Sequence, residues 1–510
     1  MKMCSRELDD ILRKGKLKPM PSEVKEFTSS IAFDIPIAKH VLDINKAHVI
    51  MLTQKGIIRK EEAAKILKGL KELEPSLEKL GDSKYEDVHV LIESELIKSI
   101  GEELGGKIHA GKSRNDQVAT ALRMELRSNI LELLSHLIEL RKTLIDKAME
   151  HLSTVMAGYT HLQHAQIITL GHHLLAYHDM FERDSQRLKE LYARINLSPM
   201  GSCALATTTL DIDRKLMAKL LGFDGLVENS IDAVSSRDFA LEALADFSII
   251  SVHLSRLAEE LILWSTLEFS FVKIPDAYVS TSSIMPQKRN PEVAELIRAR
   301  CSHVIGDLNS ALTIMKGLPL TYNLDVQEVT PHMWNGYRTT LKSVRMMKEM
   351  IGELKFDVER LYKEASRGFP SATEIAEMLV SEYDIPFRTA YQIVGKLVYE
   401  LASEGKEQYQ ITAESIEDLT RKYGKEIEVD RERLRNILDP RVNVKLKSVI
   451  GGPSPKEVKR MCEERIKKLS LDKEWLNTRL NSLLEASRRL KEFVKELIGG
   501  EMGEGEMSGM

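Results

Sequence analysis

One apolar stripe constrains this chain more than any other feature. Between Asp116 and Leu152, the residues Leu122, Leu126, Ile130, Leu133, Leu137, Leu140 and Leu144 recur at steps of 4, 4, 3, 4, 3 and 4. That is the spacing of one helix face, close to a heptad. A helix of about 36 residues spans roughly 55 Å, longer than a compact domain is wide. A second stripe runs from Asp238 to about Phe269 through Leu244, Phe247, Ile250, Leu254, Leu257, Leu261 and Trp264. A third helix is expected from Pro291 to about Lys316, with Asn290 as its cap and Pro291 in its first turn. Segments 169–194 and 332–364 also read as helices. Long helices in succession make a bundle.

Composition agrees. Aromatic residues are 5% of the 510, and Gly and Pro number 28 and 15, few for a sandwich or a barrel. The expected fold is all-α, a central long-helix bundle flanked by smaller helical domains. The length suits two to four domains. Changes in texture place a mostly helical N-terminal domain at 1–111 and the bundle at 112–365. A C-terminal helical domain follows at 366–455, then a charged helical extension at 456–498 and a Gly-rich tail at 499–510, expected to be disordered. The stripes could be covered within one chain, but symmetry covers long rods more economically, so oligomerisation through the bundle is the preferred reading.

Several partners are disfavoured. Lys plus Arg is 73 and Asp plus Glu is 77, a net charge of −4 with no basic stripe, which argues against nucleic acid. No apolar run approaches the roughly 18 residues of a membrane span. The N-terminal MKMCSRELDDILRKGK lacks the apolar core of a secretion signal. Cys4, Cys203, Cys301 and Cys462 are far apart, which fits a reducing compartment. A cytoplasmic protein is expected.

Chemistry concentrates in polar clusters between the helices. His109-Ala110-Gly111-Lys112-Ser113-Arg114-Asn115-Asp116 feeds a helix start, where free N–H groups and the dipole suit an anion; an ordinary capped turn would use the same residues. Gly158-Tyr159-Thr160-His161-Leu162-Gln163-His164 offers a proton-transfer histidine. His161 and His164 form an HxxH pair, yet no carboxylate or cysteine stands at ligand spacing, so no metal is expected. Ser280 to Pro291 sets hydroxyls, Lys288, Arg289 and an amide before a helix start, a place to stabilise developing negative charge. Two smaller groups are Asn229 to Asp238 and Tyr322 to Glu328. No nucleotide-binding or zinc-hydrolase motif occurs, and no cofactor is indicated.

These segments, in this order, resemble the fumarase/aspartase superfamily and, within it, the argininosuccinate lyase family. SSIMPQKRNP from Ser282 is similar to the superfamily's signature loop in its Gln-Lys form. HAGKSRNDQVAT from His109, GYTHLQHAQ from Gly158 and NSIDAVSSRDF from Asn229 are similar to family motifs, as are FTSSIAFD from Phe27 and EDVHVLIESEL from Glu86. The resemblance covers about residues 22–455.

It implies an anti β-elimination that releases fumarate from a small-molecule substrate, argininosuccinate, in arginine biosynthesis. Ser282 carries over as the base, its pKa lowered by Lys288 and the helix start. His161 is the acid at the leaving nitrogen, and Glu295 is its charge partner. Lys288 and Asn290 stabilise the dianion. Ser113, Arg114, Asn115 and Thr160 bind the fumarate-side carboxylates; Ser30, Tyr322 and Gln327 position the arginine side. The family pattern is a homotetramer whose sites are shared between three subunits.

The chain also departs from that pattern. Ala110 and Lys112 replace Thr and Arg, His164 and Ile167 replace Arg and Pro, and Ser236 replaces Asp. Thr330 stands where the family carries a substrate-binding Lys, so another cation, Arg289 or Lys112, is expected to take over. Competing readings are another fumarate-releasing lyase, of the adenylosuccinate lyase, aspartase or fumarase type, and a catalytically silent structural homologue.

Overall fold

A computed structural model describes Lys18 and residues 20–75 and 85–499. The chain adopts the expected all-α architecture. Its longest stripe becomes the helix Arg114–Glu150, 37 residues, with all seven stripe residues buried. Ser113 starts it with a capping box: its backbone N–H donates to Asp116 Oδ1 at 3.0 Å and its Oγ accepts from Asn115 N at 3.4 Å. Leu170–Ile195, Asp238–Trp264, Glu292–Met315 and Val329–Glu353 pack around it as a bundle. Three N-terminal helices, Ala38–Gln54, Lys60–Leu73 and Val88–Ile100, share the same continuous hydrophobic core.

Three sequence expectations about these helices need correction. The second stripe ends at Trp264, not Phe269; the chain turns through 265–270, where Ser270 takes φ 50°. Phe271 thereby enters the core, and Val272–Lys273 pairs antiparallel with Lys355–Phe356. That pairing also breaks the helix expected over 332–364; it stops at Glu353, and a new helix, Val358–Ala365, begins. Asn290 does not cap the third helix. It pairs with Ser280 in a two-residue ladder, and Pro291 occupies the cap position.

Helices Ala372–Tyr383, Phe387–Ser403, Ala413–Lys422 and Arg431–Leu438 enclose a second core, around Ile375, Leu379, Ile393, Leu397 and Ile416. The charged extension is a 45-residue helix, Pro455–Gly499, docked along the bundle rather than solvated. Leu469, Leu476, Leu490, Val494 and Leu497 enter the main core. Its Asp472 meets the fully buried Arg141 at 2.6 Å and Lys189 at 2.5 Å, and Arg465 grips Asp179 with two bonds of 2.5 and 2.6 Å. Such buried pairs are costly to break singly. Apart from Gly499, the tail 499–510 lies outside the described residues. Among the described residues, no helix is long and apolar enough to cross a membrane.

Candidate active site

A cavity of about 470 Å³ opens at the start of the Arg114–Glu150 helix. Ser30, Ser113, Arg114, Asn115, Tyr322 and Gln327 all line it. The helix start supplies N–H groups and a positive dipole end. Arg114 Nη1 lies 2.8 Å from Asp87 Oδ2, and Asp87 itself caps the helix Val88–Ile100 by accepting from Val90 N at 2.8 Å. Asn115 Nδ2 donates to Ala204 O at 3.0 Å, and Gln327 Nε2 to Thr28 O at 3.3 Å. Ser30 Oγ donates to Asp34 Oδ2 at 2.7 Å. Burial pushes the Asp34 carboxyl up to about 6, and nearby Asp87 adds to the rise.

Ionisable groups crowd beside this cavity: Lys112 and His89 line it, and His48 and Asp116 lie buried close to Lys112. Lys112 Nζ donates to Asn45 Oδ1, and burial pulls the ammonium down to about 7. His48 donates to Ala110 O at 2.8 Å, and burial holds its imidazole down at about 3. His89, held at about 4 by burial, has no hydrogen-bond partner on either ring nitrogen among the described residues. Asp116 accepts from the backbone N–H groups of Ser113, Gly201 and Cys203 at 2.9 to 3.0 Å. That ties the 201–203 turn to the helix start, and burial lifts Asp116 to about 6.

The other six candidates lie elsewhere. Thr160 and His161 sit at the tip of an antiparallel hairpin, Val155–Thr160 with Gln163–Thr169. Its two-residue turn is His161-Leu162, with φ of 55° and 57°. Both central residues at positive φ define a type I′ turn, which favours Asn and Gly. A His-Leu pair there is strained. Both side chains are exposed, Leu162 at 70%.

Ser282, Lys288 and Asn290 lie in the 280–291 loop. Ser282 Oγ accepts from Ile284 N at 3.3 Å and Met285 N at 3.1 Å. Lys288 lines a different cavity, of about 750 Å³, with Met285, Gln287 and Arg289. Glu295 is exposed on the first turn of Glu292–Met315. It forms no ion pair with a described residue, His161 included.

Two family models match the chain: "Lyase" over residues 15–306 and "Argininosuccinate lyase C-terminal" over 369–445. A protein named argininosuccinate lyase from Methanocaldococcus jannaschii is 45% identical over 488 residues, 95% of this chain and 99% of that protein. Another of that name, from Methanococcoides burtonii, is 46% identical over 473 residues, 92% of this chain and 96% of that one. The chain belongs to the argininosuccinate lyase family. A crystal structure of an EDDS lyase in complex with formate matches it with a TM-score of 0.84 and 31% identity, over 94% of this chain and 96% of that one. A class II fumarase from Schistosoma mansoni, at 17% identity and TM-score 0.67 over 82% of this chain and 91% of its own, shares the fold.

The cavity also holds residues to which the sequence patterns assigned no binding role. Asp34, Asp87, His89, Arg237 and Thr330 also line the cavity. Their motifs were visible, but nothing in a linear pattern marks which side chain turns inward. His178, Asp179 and Glu182 place ligand atoms within 4.8 Å of one another, a geometry a metal could use. Arg465 and Lys468 already neutralise those two carboxylates, so the set is better suited to holding the C-terminal helix.

Proposed function

We propose that this chain cleaves argininosuccinate to arginine and fumarate, a carbon–nitrogen lyase reaction of arginine biosynthesis run by anti β-elimination without a cofactor. The observation that carries this reading is the cavity at the Ser113-Arg114-Asn115 helix start. It is lined by hydroxyl, amide and cationic groups at six of the eight substrate-binding positions of the family pattern.

In this mechanism Ser282 removes the proton from the carbon next to a succinyl carboxylate, leaving a dianion. Lys288 and Asn290 stabilise that charge as it develops. His161, with Glu295 as charge partner, gives a proton to the guanidinium nitrogen as the C–N bond breaks. Ser113, Arg114, Asn115 and Thr160 hold the fumarate-side carboxylates, and Ser30, Tyr322 and Gln327 the arginine side. The exposed hairpin and loop reach the cavity of other copies, in a homotetramer with sites shared by three subunits. Their exposed apolar tips, Leu162 at 70% and Ile284 at 82%, support burial between subunits. The free thiols Cys203, Cys301 and Cys462 support a reducing, cytoplasmic location. The domain boundaries proposed at 111, 365 and 455 put the bundle between two helical caps.

The deciding experiment follows fumarate by its ultraviolet absorbance with argininosuccinate, adenylosuccinate, aspartate and malate in parallel. Turnover of argininosuccinate alone is expected. Turnover of another substrate, or of none, overturns the reading.

A further inference from the structure

Arg237 is 2% exposed and has no carboxylate within ion-pair distance among the described residues. Its Nη1 donates to Ser236 O at 2.8 Å and Val234 O at 3.4 Å. Its Nε is buried without a partner, as are those of Arg123 and Arg127, but its Nη2, unlike theirs, donates to no described residue. A buried guanidinium without a counter-charge is expensive.

Two other buried arginines of the bundle show what a structural role looks like. Arg123 stacks over Phe239 with its guanidinium 4.3 Å from the ring centre and donates to the carbonyls of Arg194 and Ile195. Arg127 stacks over Phe223 at 4.4 Å and donates to Asn196 Oδ1, Gly222 O and Leu221 O. Arg237 has no ring against it. It lines instead the 470 Å³ cavity, as Tyr322, Gln327 and Thr330 also do. Of the other cationic side chains that line it, Arg114 is paired with Asp87, His109 contacts Glu93, and Lys112 donates to Asn45; Thr330 brings a hydroxyl but no charge.

We propose that Arg237 is the receptor for the α-carboxylate on the arginine part of the substrate. This rests on the lyase reading above, which places Tyr322 and Gln327 on that side. The Tyr322 phenol, pushed up by burial, is close enough to Arg237 for the guanidinium to offset part of that rise. A carboxylate entering beside Tyr322 meets Nη2 and Nε, the two donors left unused, in the side-on fork that guanidinium offers a carboxylate. The pairing gives the buried charge its missing partner and makes the site selective for an amino acid over a simple guanidine.

Turnover of argininosuccinate by the unaltered enzyme tests the lyase reading first and separately. Product inhibition then tests Arg237, with arginine, agmatine (arginine without its carboxylate) and fumarate as probes. The unaltered enzyme should bind arginine at least about tenfold more tightly than agmatine, as a charge-assisted pair implies. Arg237→Gln should erase that preference, raise KM for argininosuccinate about tenfold or more, and leave fumarate inhibition within about twofold. Arg237→Lys, which keeps the charge and loses the fork, should fall between. Equal binding of arginine and agmatine by the unaltered enzyme overturns the proposal even if Arg237→Gln does not fold. So does a variant that keeps the arginine preference, or one whose fumarate inhibition shifts instead.

Discussion

The cavity and the groups proposed to do chemistry in it are built in opposite ways. Around the cavity, side chains are held by bonds within one chain: Arg114 by Asp87, Asn115 by Ala204, Gln327 by Thr28, Ser30 by Asp34. At the hairpin tip and in the 282–290 loop, His161 and Lys288 stand exposed, with no charged neighbour in ion-pair range among the described residues. Positioned but unpartnered groups are what a shared site requires. On the proposed function, the binding half is finished at folding and the reacting half only when copies meet.

The largest test of that contrast removes the reacting groups. Ser282→Ala and His161→Asn should each lower kcat by about 10²–10⁴-fold, the usual worth of a positioned acid or base. Both residues lie outside the core, so melting temperature and oligomer size should stay unchanged. Mixing sharpens the point. A His161→Asn variant and an Asn115→Ala variant, each inactive, should regain turnover when dissociated and reassembled together. A mixture that stays inactive places both residues in the same chain's site and breaks the comparison.

How much of this was readable beforehand differs between the two regions. The bundle was legible because leucine spacing reports the helix face directly, and Leu122 through Leu144 are buried as that spacing requires. The breaks at Trp264 and Glu353 were not, because both depend on Val272–Lys273 pairing with Lys355–Phe356, far apart in sequence. The hairpin was hidden for a local reason: its turn carries His161-Leu162 instead of the Asn-Gly that would announce a type I′ turn. At the cavity, Ser113-Arg114-Asn115 could be placed from the helix start alone. Asp34, His89 and Arg237 could not, since each sits in a recognisable motif and only the packing turns it inward.

Acid should expose the cost of the ionisable groups beside the cavity. The His48 and His89 rings are held by burial near 3 and 4, below the ordinary 6.5, so folding keeps them neutral. Stability from such a group is present above 6.5 and is lost as pH falls through that window. Asp34 and Asp116, raised to about 6, run the other way: they favour folding as pH falls from about 6 towards 3.8. The two effects overlap, so the whole enzyme's acid limb is a blend. His48→Gln isolates one share, since Gln can still donate to Ala110 O. Between pH 7 and pH 4.5, unfolding free energies from urea titrations should move in the variant's favour by about 2–3 kcal/mol. No relative gain at acid pH would show the His48 ring to be hydrated and ordinary.

The smallest expected effect lies at the hairpin tip. Leu162 holds φ 57° with its side chain 70% exposed, so one chain bears a left-handed leucine and gains little packing from it. That conformation costs on the order of 1 kcal/mol for a residue with a Cβ. In the proposed assembly, the same side chain is buried against another copy and the strain is offset there. Leu162→Gly separates the two. Under dilution that disperses the assembly, the variant should resist urea slightly better than the unaltered chain, by up to about 1 kcal/mol. At concentrations that hold the assembly together, the order should reverse, and kcat should fall several-fold because His161 is no longer held in place. If glycine helps equally at every concentration and turnover is unchanged, Leu162 contacts nothing, and the reacting half of the site is not completed by a neighbour at this turn.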